Sequence, residues 1–160
     1  MHAERSNERG PPLNKYVMIP ILLATAVAIG LPQGAEVKGA SIRVQIHYTG
    51  KGEVNQGHKI FVALWDSPGF AEPNAKVTPV AVKWVASKNG IVTFSDVKKM
   101  PVYVSCAYDP AGKWDSRSAP PDDASVGLYG NSAMQPVPVN VAARQSTKVQ
   151  IQFDDSIKMR

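Results

Sequence analysis

Apolar and polar residues alternate with a period of two along much of the chain from residue 41 onward. Such alternation is typical of a β-strand with one buried face and one wet face. It is clearest in residues 41–48 and 148–153, whereas residues 59–65 are almost entirely apolar, as in a strand covered on both faces. No window of 11 residues after residue 35 has a convincing helical period. The pattern therefore predicts an all-β fold.

Turn residues separate these strand patterns at regular intervals. Asn89-Gly90, between β-branched runs, is the strongest turn signal, because both residues tolerate the positive φ of a type I′ hairpin. Residues 137–141 also alternate, but Pro136 and Pro138 cannot donate to a ladder, so this run is predicted to lie at a sheet edge or to pair on one side only. About seven short strands result. They predict a single antiparallel β-sandwich.

The amino-terminal residues differ from the strand-forming part. Residues 1–15 are polar and charged, and residues 16–31 form an uncharged apolar run of 16 residues. A helix that crosses a bilayer needs about 20. A basic residue, Lys15, before a short apolar run and small residues after it are the plan of a secretory signal. Cleavage is predicted after Ala35.

An uncleaved anchor over residues 16–31 is the alternative, because the polar segment before the run is long and Pro20 interrupts it. We therefore expect a signal peptide or membrane anchor over residues 1–35 and a sandwich domain over residues 36–160. The expected location is the periplasm or the cell exterior, or the inner membrane if the anchor is kept. Membrane contact is expected only through this segment.

Composition and charge exclude several function classes. The 160-residue chain is 44% hydrophobic and 19% charged, as in an ordinary globular protein. Without residues 1–35 it has 15 Lys and Arg against 11 Asp and Glu, a formal charge of +4. The only adjacent basic pair is Lys98-Lys99, so the basic stripe of a nucleic-acid binder is missing. The single cysteine, Cys106, excludes an internal disulfide and is predicted to be a buried thiol.

The segment SIRVQIHYTGKGEVNQGHKIFVALWDSPGF, residues 41–70, resembles the opening of bacterial exported β-sandwich domains. These domains are of the transthyretin-like (prealbumin-like) and carboxypeptidase-regulatory-like type. The closing IQFDDSIKMR, residues 151–160, is similar to the final strand and tail of that family. The resemblance implies a seven-stranded sandwich on an exported protein, usually without catalytic activity.

One loop departs from the family's form. Family members carry Asp-x-Asn-Gly-Asn-Gly-x-x-Asp after a strand, where residues 104–115 read VSCAYDPAGKWD. Both Asn side chains are missing and the loop is shorter. Calcium requires six to eight oxygen ligands, to which Asp109, Asp115, Asp122 and Asp123 could contribute carboxylates. The loop has two possible roles: it forms a weak Ca²⁺ site, or Asp109 stabilises the turn through hydrogen bonds to the backbone. No cofactor other than Ca²⁺ is expected.

Aromatic residues lie in the two long loops, residues 66–76 and 109–133, beside carboxylates. Aromatic side chains on loops can stack on a sugar ring or anchor a protein partner, and they can also fix the loops to the ends of the sheets. By contrast, Trp65 and Trp84 lie within strand patterns and are predicted to belong to the core. The predicted ligand-binding residues are Phe70, Trp114, Tyr129, Asp109 and Asp115.

Catalytic motifs are missing from the sequence. His47 and His58 are the only histidines after residue 35, too few for a zinc site or a convergent Ser/His/Asp arrangement. We therefore predict a non-enzymatic exported module with a recognition or structural role at the cell envelope. It would bind carbohydrate or an envelope protein through the two long loops, and no nucleic acid. The alternative is a small hydrolase or calcium-dependent enzyme on the same scaffold.

Overall fold

A computed structural model of the chain describes residues 39–72 and 75–159. The predicted leader, residues 1–35, with its cleavage point after Ala35, lies outside these described ranges. Within them no helix is long and apolar enough to cross a bilayer. The elements are β1 (Ala40–Tyr48), β2 (Ile60–Trp65), a short 3₁₀ helix (Pro68–Ala71), β3 (Ala81–Val85), β4 (Ile91–Val97), β5 (Tyr103–Tyr108), β6 (Ser125–Leu128) and β7 (Ser146–Phe153).

The strands form two sheets, which confirms the prediction of a seven-stranded all-β sandwich. One sheet has three strands in the order β4-β1-β7, and the other has four in the order β3-β2-β5-β6. Most neighbours are antiparallel, but β1 and β7 run parallel, with Tyr48 opposite Phe153. A parallel pair needs a long crossover, and here the whole second sheet lies between the two strands in sequence.

Residues 137–141 do not form the continuous strand that the sequence predicts, although Val139 pairs on one side with Val102, and β6 is the seventh strand instead. Around Pro136 and Pro138 the structure has only isolated bridges, one of them between Val102 and Val139. The missing proline N–H groups prevent a continuous ladder there. Instead Ser125–Leu128, which the sequence places inside the long loop, pairs with β5.

Alternating side chains of both sheets meet in one apolar core. Ile42, Val44 and Ile46 of β1 are fully buried, as their period of two predicts. Each contributes about 1.5–3 kcal/mol through burial. At one end of the core the ring of Tyr48 packs against Tyr108 and Phe153, with centroids 4.9 and 4.8 Å away.

Trp65 and Trp84 are not in the core, contrary to the prediction. Both project from the outside of the four-stranded sheet, and Trp84 is 45% exposed. On β3 the inward positions belong instead to Ala81, Lys83 and Val85, of which only Val85 is buried. Lys83 can occupy an inward position because β3 is an edge strand: its Nζ donates to the carbonyl oxygen of Thr93 on β4, 2.5 Å away.

Candidate binding face

The two outer faces of the sandwich differ in character. The outside of the β4-β1-β7 sheet is polar, as expected for a surface in water. Its single apolar member is Ile91, which is 45% exposed. The other outward side chains are Ser41, Arg43, Gln45, His47, Thr93, Ser95, Ser146, Lys148, Gln150 and Gln152.

The outside of the four-stranded sheet, by contrast, carries aromatic and aliphatic residues and no charged one. Two loop residues, Phe70 and Trp114, pack onto it. We call these two residues and the outward side chains of the sheet the aromatic face. The outward side chains are Val82 and Trp84 on β3, Phe61, Ala63 and Trp65 on β2, Tyr103, Ser105 and Ala107 on β5, and Val126 and Leu128 on β6.

Strand register divides the aromatic face into two aromatic ends with small residues between them. Phe61 lies opposite Trp84, and Ala63, two residues along the strand, lies opposite Ser105. Trp65 comes two residues further along. At about 3.3 Å per residue, Phe61 and Trp65 are about 13 Å apart. A ligand that spans the face can therefore contact aromatic rings at both ends and pass over the small side chains of Ala63 and Ser105 between them.

Trp114 forms one aromatic end together with Phe61. Their ring centroids lie 4.7 Å apart at an interplanar angle of 67°, an edge-to-face contact. The indole N–H donates to the carbonyl oxygen of Ser118 at 3.2 Å. Trp114 is half-buried, so the 109–133 loop is folded down onto the sheet at this residue.

A carboxylate turn holds Trp114 in place. Asp109 is only 3% exposed, and its two oxygens accept backbone N–H donors from Ala111, Lys113 and Trp114 at 2.8–2.9 Å. Burial alone would raise the pKa of Asp109, but these hydrogen bonds outweigh it and hold that pKa below its ordinary value. Gly112 completes the turn with a φ of +67°. The turn interpretation of Asp109 therefore agrees with its contacts.

Phe70 forms the other aromatic end with Trp65. The two rings are nearly parallel, with centroids 4.9 Å apart and planes 9° apart. Trp65 is itself fixed, because its indole N–H donates to the Ser105 hydroxyl at 2.8 Å. The 3₁₀ helix that carries Phe70 begins after Ser67, whose hydroxyl accepts the N–H of Gly69. Local capping and ring stacking together place Phe70 on the face.

Trp84 is the residue that sequence reasoning missed. It projects from the edge strand β3 next to Val82, and Val80, 49% exposed, precedes that strand. The ammonium of Lys59 lies 4.4 Å from the centroid of the Trp84 ring, a cation–π contact. The alternation in the sequence correctly puts Trp84 and Lys83 on opposite faces of β3, but it does not say which of the two faces is buried.

The structure does not bring all five predicted ligand-binding residues together. Phe70 and Trp114 share the aromatic face, at opposite ends. Asp109 lies beneath Trp114 with its oxygens already engaged. Asp115 is exposed and pairs with the Arg117 guanidinium at 3.6 Å. Tyr129 lies elsewhere: it packs against the core, and its N–H donates to the carbonyl oxygen of Val104.

In residues 39–72 and 75–159 no group of three or more His, Cys, Asp or Glu side chains could hold a metal ion. The Nδ1 of His47 forms a hydrogen bond with the Asn89 side chain, on the polar face. The weak calcium candidates Asp122 and Asp123 are exposed. Cys106 is a buried free thiol, as predicted, and burial raises its pKa.

Comparison with known proteins yields no family model, curated protein or solved structure that matches this chain. The resemblance to transthyretin-like domains therefore stays a prediction. Of the two outer sheet faces, the aromatic face departs more from the polar surface expected for a sheet in water.

Proposed function

We propose that this protein is an exported, non-catalytic recognition module that binds a polysaccharide on its aromatic face, at the cell envelope. The observation that carries the proposal is the contrast between the two outer faces. One is polar apart from Ile91, and the other presents Trp84, 45% exposed, on a sheet surface without a charged side chain. Most other members of the face are half-buried and form an apolar floor beside the exposed Trp84, and apolar surface patches of this kind are often used for interaction.

Aromatic side chains suit a sugar ligand for a physical reason. The C–H faces of a sugar ring are apolar and pack flat against an indole or phenyl ring, while the hydroxyl groups stay in water. Trp84 lies at one end of the aromatic face, and the stacked pair Trp65 and Phe70 lies at the other, fixed in orientation by Ser105. A prearranged set of rings loses little conformational entropy when a ligand binds.

The size of the face favours a chain-like ligand over a protein partner. Four strands about 4.8 Å apart and about five residues long give a sheet surface of about 19 Å by about 17 Å, or ~320 Å². A stable protein interface buries about 800 Å² per partner. A polysaccharide that lies across the face needs only the smaller area, because it makes its contacts one ring at a time.

Export is part of the proposal, and it rests on the sequence of residues 1–35. The apolar run of 16 residues after Lys15 has the plan of a secretory signal. Mass spectrometry of protein recovered from the periplasm or medium should find an amino terminus at Glu36. A full-length amino terminus on membrane-bound protein would favour the anchor instead, and protein confined to the cytoplasm would contradict export.

Binding is tested with the full-length chain against immobilised neutral and acidic polysaccharides. We expect retention by at least one of them, and about tenfold weaker retention of a Trp84→Ala variant. Ile91→Ala is the matched control, because Ile91 is equally exposed but lies on the polar face. Equal loss in both variants, or no retention by any polysaccharide, would contradict the proposal. If the chain instead captures an envelope protein through Trp84, the ligand is a protein and not a polysaccharide.

A further inference from the structure

Resting on the function proposed above, we infer that the ligand is an acidic polysaccharide whose carboxylates pair with Lys59 beside Trp84. The inference comes from a positive charge just outside the strands, at the edge of the aromatic face. Lys59 immediately precedes β2, where Ile60 points into the core, so strand alternation puts Lys59 on the same side as Phe61. Its ammonium lies over the exposed Trp84 ring at 4.4 Å.

Lys59 has no acidic partner among the described residues. The ion pairs formed there join Lys98 with Asp96 and Arg117 with Asp115. The nearby carboxylate of Asp109 is buried under three backbone N–H donors. Lys59 is therefore a cation held at an aromatic surface with its charge available to a bound anion.

Charge around the aromatic face is also unevenly distributed. Lys59 lies at Trp84 and Lys113 is exposed immediately before Trp114, whereas Asp115, immediately after Trp114, is paired with Arg117 at 3.6 Å. Asp66, the acidic residue nearest in sequence to Trp65, lies seven residues from Lys59, or about 23 Å along an extended strand. An acidic ligand thus meets positive charge at the Trp84 end, while its uncharged ring atoms reach the Trp65 end.

The contact combines two kinds of interaction in one place. The carboxylate of a uronic acid unit would accept a hydrogen bond from the Lys59 ammonium, while the ring of that unit packs against the exposed part of the Trp84 indole. An exposed ion pair alone contributes little to the free energy of binding. Next to an indole the ammonium is partly shielded from water, so the pair discriminates between acidic and neutral chains.

The experiment compares one polymer with and without its charge. Full-length chain is titrated with polygalacturonate and with its fully methyl-esterified form, at low salt and at about 1 M NaCl, where the Debye length is about 3 Å. We expect the acid form to bind about fivefold more tightly at low salt and to lose that preference at high salt. Lys59→Met, which keeps an apolar stem over Trp84, should remove the preference and leave binding of the ester.

Lys148→Met is the matched control, since Lys148 is an exposed lysine on the polar face. Equal binding of acid and ester, unchanged by Lys59→Met, would overturn this inference and leave the recognition function standing. No binding of either form or of any polysaccharide in the panel would overturn both. If polyglutamate binds as tightly as polygalacturonate and depends equally on Lys59, the inferred ligand is an acidic peptide and not an acidic polysaccharide.

Discussion

The ring of Phe70 lies parallel to the indole of Trp65, with ring centroids 4.9 Å apart and planes at 9°. The contact joins a loop residue to the outside of β2, so it does two things at once. It anchors the chain after Trp65 to the sheet, and it fixes the orientation of a ring pair on the aromatic face. The loop residue that sequence analysis proposed for ligand binding thus also has a structural role.

Replacing Phe70 with alanine should lower the free energy of unfolding by about 1–2 kcal/mol, because the stacking and part of the ring's burial are lost. Urea unfolding measures this change. Val77→Ala is the control in the same connection, since Val77 is 37% exposed and its truncation should cost less than about 0.5 kcal/mol. Equal effects in the two variants would show that the stacking contributes no stability.

A Gly112→Ala substitution should destabilise the turn that holds Trp114. Gly112 has a φ of +67°, and a Cβ there would lie 2.5 Å from the carbonyl oxygen of Gly57. We expect a loss of about 2 kcal/mol or more in the free energy of unfolding. Gly69→Ala provides the comparison, because its Cβ would only approach the flexible Ser67 hydroxyl at 3.3 Å. A Gly112 variant as stable as the Gly69 variant would contradict the proposed strain.

Stability at low pH should depend on Asp155. Burial would raise its pKa, but hydrogen bonds from the Tyr48 and Ser125 hydroxyls, at 2.5 and 2.7 Å, and from the Lys51 N–H lower it to about 2. A carboxyl group whose pKa falls on folding stabilises the native state above its unfolded pKa, near 4. That stability is lost as the pH drops towards 2, and it amounts to about 2 kcal/mol.

Chemical unfolding at a series of pH values tests this dependence. The parent chain should lose about 2 kcal/mol more stability between pH 5 and pH 2 than an Asp155→Asn variant, which has no carboxylate to protonate there. Asp122→Asn changes an exposed carboxyl group and should leave the parent's pH profile in place. Parallel profiles for the parent and the Asp155 variant would exclude this residue as the source of the acid sensitivity.

Strands with a clear period of two could be predicted from the sequence. The alternation in residues 41–48 and 148–153 corresponds to β1 (Ala40–Tyr48) and β7 (Ser146–Phe153) within two residues at each end. Their parallel pairing could not be predicted, because alternation specifies which residues share a face and carries no information on strand direction. The sequence pattern does not reveal β6, because Ser125–Leu128 is only four residues long and contains Gly127, which leaves too little alternation to indicate a strand.

The candidate site was only partly accessible to sequence reasoning. Phe70 and Trp114 stood out as loop aromatics, and both lie on the aromatic face. The sequence predicts Trp84 in the core, because large apolar residues in alternation usually mark the buried side of a strand. On an edge strand the rule fails: Lys83 takes an inward position and reaches the carbonyl oxygen of Thr93, which leaves Trp84 outside.

The most direct test of the account is to locate the bound polysaccharide on the surface. Hydroxyl-radical footprinting of the full-length chain, with and without polygalacturonate, reports which side chains the polymer covers. We predict that Trp84 and Phe70 are oxidised more slowly when the polymer is bound, while His47 on the polar face and Met134, 45% exposed on a loop, keep their rates. Protection of His47 or Met134 with Trp84 unchanged would place the ligand elsewhere and contradict the aromatic face as the binding surface.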